Sequence, residues 1–518
     1  MKKRCVMLIC AITVSLLLFG CGNKTSDKFP EQEKTSSEVS ESVVKSGVGL
    51  VNKTNSVLYE LPNAADNSLG EYDSRKIVFV MPSFEGELAA KHENEINAIL
   101  EDNGFDKQLE FKIINGIDYK SELIKYIENG GQADLIYTGA AMSGINAVGT
   151  YQEFVDMGWL ADITDELRSE KGKQLKDSYS EPFWLDMSIN GRIYGIGNDI
   201  SAGNGISAVF NTRLCHENGI DLTEFDGSLT TIKNWCDELR SKNVKCDYFE
   251  LRLSNCDTLR LAGFLYDYQL AYYGIGIKEN NGVLKAVNIY EDEKAREIVE
   301  QLSDIYSSGY CYNINSQATT GDFFVKIVMT SANGQGLVFA DEKMYDIETT
   351  EIELIPSQSH SITNLVCGVS TFTQDKESAF NALSMLFSDE NISNLMQYGT
   401  TEKSEITEDN DLPELYLGNH IITFPSDSEP DNKLELYSSY NNSVEINPIT
   451  GFRPDLSRND YCALFDANAQ GEYVINGWCG SEWEKYMDIM SDEMKAAGIA
   501  DAIEQINEEL SNYEAYDQ

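Results

Sequence analysis

The chain has 518 residues with 40 Lys and Arg against 85 Asp and Glu, a formal net charge of −45. That excess of acid excludes an electrostatic nucleic-acid binder, whose phosphate contacts need Lys and Arg in surplus, and fits a solubilising surface. About 445 residues follow the polar N-terminal stretch described below. A single core rarely grows beyond roughly 250–300 residues, so two lobes are expected.

The chain opens on Met1-Lys2-Lys3-Arg4, followed by the uncharged run "CVMLICAITVSLLLFG" to Gly20. The run is shorter than the roughly 20 apolar residues a membrane span needs and matches a signal-peptide h-region. "LFGC" resembles the bacterial lipobox, in which Cys21 is lipidated and becomes the new N-terminus. Residues 21–74 then read as a lipidated cysteine and a disordered tether, because Ser, Thr, Lys, Glu and Asn with few aromatics cannot bury enough surface to fold. The expected location is the outer face of the cell membrane, held there by lipid. Eight cysteines remain beyond Cys21, with no C-x-x-C pair. Neither a zinc knuckle nor a thioredoxin-type site is supported, and both disulfides and reduced thiols stay open.

From residue 76 the pattern becomes regular. "KIVFVMP" (76–82) has strand length and ends in proline, and "ELAAKHENEINAILEDNGF" sets Leu88, His92, Ile96 and Ile99 or Leu100 on one helical face. "QLEFKII" alternates as a strand, "DYKSELIKYIENGG" repeats the helical signal at Tyr119, Leu123 and Ile127, and "ADLIYTG" (133–139) is a third strand. Strands joined by such crossovers predict a parallel sheet, with ligands bound beyond the carboxyl ends of the strands. That topology nominates Phe84, Glu85 and Tyr137. The stretch 291–309 predicts a helix with Ala295, Ile298, Leu302 and Ile305 along one face.

"YKSELIKYIENGGQADLI", "GWLADITDEL" (158–167), "INGRIYGIGND" (189–199) and "NTRLCHENGID" (211–221) follow one another in this order. The series resembles the extracellular solute-binding proteins of carbohydrate ABC importers, the family 1, maltose-binding-protein-like group. "GVSTFTQDKESAFNALSMLFSDENISNLMQYG" (368–399), "GFRPD" (451–455) and "MKAAGIADAIEQINEELSNY" (494–513) are similar to the larger LplA-like lipoproteins of that group. The resemblance implies an α/β, two-lobed periplasmic-binding-protein-like (type II) fold that closes on a hinge. It places lobe one at 75–200 plus 373–440 and lobe two at 201–372 plus 441–518, with crossings near 195–205 and 361–372. It also implies a carbohydrate ligand, ABC permease subunits as partners and a monomer.

No G-x-S-x-G, Walker loop or G-x-G-x-x-G occurs, and His92-Glu93 lacks the second histidine of a zincin, so no catalytic residue, metal or cofactor is assigned. A sugar needs flat apolar faces for its C–H patches and planar polar groups for its hydroxyls. The aromatic clusters "EPFWLD", "FLYDYQLAYYG" and "NGWCGSEW" supply Trp184, Tyr268, Tyr272 and Trp478 as candidates. Asn198 and Asp199, beside the first crossing, and Arg453 are the polar candidates. Alternatives from other classes are a binder of peptides or other nutrients on the same fold, a surface sensor or adhesin, and a glycan-cleaving enzyme.

Overall fold

The computed structural model describes residues 72–115, 119–138, 151–198, 201–265, 268–312, 323–332, 347–360, 365–406, 417–426 and 429–513. Cys21 and the expected tether up to residue 71 lie outside them; residues 72–74 are described, and Tyr72 donates its hydroxyl to Asp134 Oδ1 at 2.8 Å. No helix among the described residues is long and apolar enough to cross a membrane.

The chain enters the first sheet with β1 (Lys76–Pro82), passes α1 (Ser83–Lys91) and α2 (Glu93–Asp102), and returns as β2 (Gln108–Ile114). α3 (Tyr119–Glu128) then leads to β3 (Leu135–Thr138). β1 pairs in parallel with both β2 and β3, as the alternation of strand and helix predicts. Ile77 to Met81 are all at most 2% exposed, the mark of a strand covered on both faces. α3 buries Tyr119, Leu123 and Ile127. The single helix expected through His92 is two helices, because His92 leaves helical geometry at φ −104° and ψ 19°.

The short helix α4 (Glu181–Asp186) precedes a hairpin of β4 (Ser188–Ile189) and β5 (Arg192–Ile193). Its turn is Asn190-Gly191, both at positive φ (48° and 79°), the combination a two-residue hairpin turn prefers. β6 (Ile196–Gly197) completes the first passage. The chain then crosses to β7 (Asn204–Asn211) and continues through α5 (Leu229–Ser241), β8 (Asp247–Arg252), a hairpin of β9 (Ile275–Asn280) and β10 (Val283–Asn288), and α6 (Glu293–Ser307). β11 (Cys311–Tyr312), β12 (Phe323–Thr330) and β13 (Thr349–Gln358) complete the second sheet, of order β11-β8-β12-β7-β13.

β14 (Val366–Val369) is back in the first sheet, antiparallel to β3 and β6, giving the order β2-β1-β3-β14-β6. The return crossing is therefore complete by Val366, and residues 366–372, expected in lobe two, lie with lobe one. The hydrogen-bonding edge of β3 explains this: it is filled by Val366 to Val369.

Three large apolar clusters organise the described residues. One joins β1–β3 to the helices Lys376–Ser388 and Glu390–Tyr398. A second gathers Ile206, Ala208 and Phe210 of β7 with Leu229, Ile232 and Leu239 of α5 and Leu302 and Ile305 of α6. The third packs β9 and β10 on the helices Trp483–Ala496 and Ile499–Leu510. Cys215 and Cys236 are buried thiols of the second cluster, their pKa values pushed up by that burial.

Candidate site between the lobes

Three chain segments run side by side where the sheets meet. Gly203 lies so close to the second that an added Cβ would fall 2.3 Å from the Gln358 carbonyl oxygen and 2.6 Å from Val444 Cγ1. The Glu445 amide donates to the Ser357 carbonyl and the Ser359 amide to the Glu445 carbonyl, both at 2.8 Å. The Ala202 amide donates to Asn441 Oδ1 at 2.9 Å, and the Asn198 amide to the Leu365 carbonyl at 3.2 Å. Leu365 has φ 55°, a left-handed conformation that costs a branched side chain energy, at the entry to β14.

The third segment leaves α7 (Lys433–Ser443), which packs on α4 of the first lobe and joins Tyr437 to Ala332 and Ile421 in a small apolar cluster. Its last turn faces the second sheet. Between them is a cavity of about 460 Å³, within the roughly 300–1,000 Å³ typical of small-ligand sites. The sheet contributes Ser207, Thr330, Glu351, Glu353, Pro356 and Ser357; the third crossing segment contributes Glu445; the helix end contributes Tyr440 and Ser443.

The local sequence explains the polar wall. In β13, Glu351 and Glu353 alternate with Ile352 and Leu354, so both carboxylates emerge on one face, opposite Val209 and Ser207 of β7. Ile206 and Ala208 face the apolar cluster on the other side. Ser207 Oγ is 2.6 Å from Thr330 Oγ1, and Ser357 Oγ is 2.7 Å from the Tyr440 hydroxyl. That hydroxyl also reaches the Thr330 carbonyl at 3.0 Å. Burial is the main cause that pushes Tyr440 up to about 12, so it remains a hydrogen-bond donor. Among the described residues no group of three or more His, Cys, Asp or Glu is arranged to hold a metal ion.

None of the nominated residues whose side chains are described lines this cavity. Trp184 is corrected to the core: it is 2% exposed, packs edge-on against Tyr179 and Phe183, and donates its indole N–H to the Lys176 carbonyl at 3.0 Å. Tyr137 is fully buried in β3, opposite Cys367 of β14, and offers no face to a ligand. Tyr272 packs half-buried on the third cluster, its ring 6.4 Å from that of Phe465. Trp478 is half-buried and sits edge-on to Tyr473, in a loop whose Gly477 abuts Leu302 of α6. It therefore lies on the apolar side of the second sheet, away from the cavity.

Asn198 is buried at the first crossing. Arg453 is buried where the lobes touch: the Asn190 amide donates to the Gly451 carbonyl at 3.2 Å, and Arg453 Nη1 donates to the Phe452 carbonyl at 2.8 Å. Phe84 and Glu85 fall in α1, and Tyr268 in the helix Tyr268–Ala271, but their side chains lie outside the described set, as does all of Asp199. The cavity glutamates lie outside the aromatic clusters from which the sequence candidates were drawn. Their signal was the polar–apolar alternation "TEIEL" at 350–354.

The sequence matches no family model and no curated protein. Solved structures do match. The N-glycan transport solute-binding protein NgtS of Streptococcus pneumoniae is 16% identical at a TM-score of 0.63, covering 85% of this chain and 98% of its own. An HMO-binding, ABC-transporter-associated solute-binding protein of Bifidobacterium longum infantis is 13% identical at 0.54, covering 85% and 99%. An extracellular solute-binding protein of Bifidobacterium longum subsp. infantis is 14% identical at 0.53, covering 85% and 98%. Identities this low speak to architecture, and with two α/β lobes joined by three crossing segments the chain has the fold of the two-lobed solute-binding proteins.

Proposed function

We propose that this chain is a lipid-anchored extracellular binding protein that captures a carbohydrate, an oligosaccharide rather than a single sugar, and delivers it to an ABC permease made of separate chains. The observation that carries the reading is the cavity at the three-segment crossing. Hydroxyls, carboxylates and a tyrosine ring meet there between two lobes, the groups a polyhydroxylated ring requires. The fold neighbours support it, since NgtS is described as an N-glycan transport protein and its structure is also known in complex with Man1GlcNAc. The protein acts as a monomer without chemistry of its own. Cys21, behind the uncharged run, is the acylated residue, and the polar stretch after it is the leash.

Titration calorimetry against neutral oligosaccharides, amino acids and peptides tests this reading. A glycan should bind and be recovered intact. Binding of peptides alone, or cleavage of the glycan, would overturn it. For the anchor, a clickable fatty acid should label the wild-type chain and leave Cys21→Ser unlabelled.

A further inference from the structure

We infer that Tyr440 joins sugar binding to the lobe crossing: its ring is ligand surface, and its hydroxyl, which does not reach the ligand, positions the segments around it. The inference rests on the carbohydrate reading above and adds to it the residue on which that site turns. A tyrosine divides its surface between an apolar ring and a polar tip. Here the protein takes up the tip. The hydroxyl lies 2.7 Å from Ser357 Oγ, 3.0 Å from the Thr330 carbonyl and 3.4 Å from the Gly203 carbonyl. Those partners belong to the end of β13, the end of β12 and the first crossing segment. The ring is half-buried in the cavity wall and is the part a ligand meets.

One proton faces two carbonyls, and Ser357 can donate to the same oxygen, so the hydroxyl keeps a partner as the first crossing segment shifts against β12. The neighbouring groups tie the same segments. Asn441 Oδ1 accepts from the Ala202 amide at 2.9 Å, and Ser201 Oγ from the Ala332 amide at 2.5 Å. Arg260 Nη1 donates to the Asn204 carbonyl at 2.6 Å, next to Gly203. The base of α7 is fixed to the first lobe. Lys433 Nζ donates to Thr423 Oγ1 at 3.0 Å and to the Phe424 carbonyl at 3.1 Å, and the Phe424 amide donates to Asn394 Oδ1 at 2.9 Å. Tyr440 stands two helical turns further along, about 10 Å. A displacement of the first lobe therefore reaches the crossing and the ring through one short helix.

The test is titration calorimetry on the intact exported chain with the neutral oligosaccharide that binds it most tightly in the screen above. It is run at a temperature where melting curves show every variant fully folded, so that a loss of stability alone leaves affinity unmoved. Tyr440→Phe keeps the ring and should bind about threefold to tenfold more weakly, the effect of one hydrogen bond. Ser357→Ala breaks the same link with the tyrosine intact and should lose a similar amount, and the two together should lose less than the product of the single effects. Tyr440→Leu removes the ring as well and should bind about thirtyfold more weakly or worse. Wild-type affinity in both Tyr440→Phe and Ser357→Ala overturns the inference. So does a Tyr440→Leu chain that binds as well as Tyr440→Phe. Both results leave the carbohydrate reading in place, because the wild-type chain still binds. A wild-type chain that binds no oligosaccharide overturns the two together.

Discussion

The two sheets use the same kind of strand differently. β1 of the first sheet is apolar from Ile77 to Met81 on both faces and is covered on both. In the second sheet β7 places Ile206, Ala208 and Phe210 against α5 and α6, while Ser207 turns to the opposite face beside Glu351 and Glu353. A sheet sandwiched between helices leaves only its strand ends for a ligand, whereas a sheet with one polar face can line a site with that face. The second sheet thus carries most of the cavity wall.

The comparison breaks first at the tryptophans. Trp184→Ala in the first lobe should lower stability by about 3–5 kcal/mol, since it empties a packed site and removes the indole hydrogen bond to the Lys176 carbonyl, whereas Trp478→Ala should cost no more than about 1 kcal/mol. Calorimetric unfolding of both variants checks this, and equal losses would contradict the division drawn here. At the crossing, Gly203→Ala forces a Cβ against the Gln358 carbonyl and should cost about 1–3 kcal/mol while weakening ligand binding. Unfolding curves alongside titration separate those two effects. Tyr440→Phe removes one hydroxyl that bridges Ser357 and Thr330 and should cost about 1 kcal/mol, read as a small fall in the denaturation midpoint.

A change confined to acid pH is the smallest. Burial alone would raise the Glu429 carboxyl. The His420 ring, 2.8 Å away, and Lys433, at 3.4 Å, more than offset this and hold it well below the usual carboxylate range. The unfolded chain then binds more protons as pH falls through the ordinary carboxylate pKa. The contribution of Glu429 is therefore complete above that value and lost below it. Glu429→Gln should flatten the acid limb of a stability-against-pH curve, and an unchanged slope would show that the cluster does not act this way.

The first lobe was the legible part. The stretches read as 76–82 and as helix around Tyr119, Leu123 and Ile127 coincide with β1 and α3, because a doubly covered strand and an amphipathic helix each write their burial into a short local period. The break at His92 was not legible, since nothing in its neighbours' periodicity marks it. The return at Val366 falls within the expected 361–372, but the lobe boundary could not be narrowed within that window, because a crossing is defined by which edge a strand pairs with, a long-range fact. For the site, Asn198 lies beside the first crossing, whereas Trp184, nominated from its aromatic cluster, lies in the core. An aromatic cluster does not say which ring faces remain uncovered; Tyr179 and Phe183 cover this one. The alternating glutamates of β13 carried more information than the tryptophans.

The central claim, that a glycan is held between the lobes at the three-segment crossing, is tested most directly by amide hydrogen exchange with and without a neutral oligosaccharide. The account predicts slower exchange in the cavity segments at 349–358 and 440–445, with β1 and β2 unchanged. Saturating glycan that leaves both segments exchanging as before, or that protects only the Trp478 loop, would contradict it.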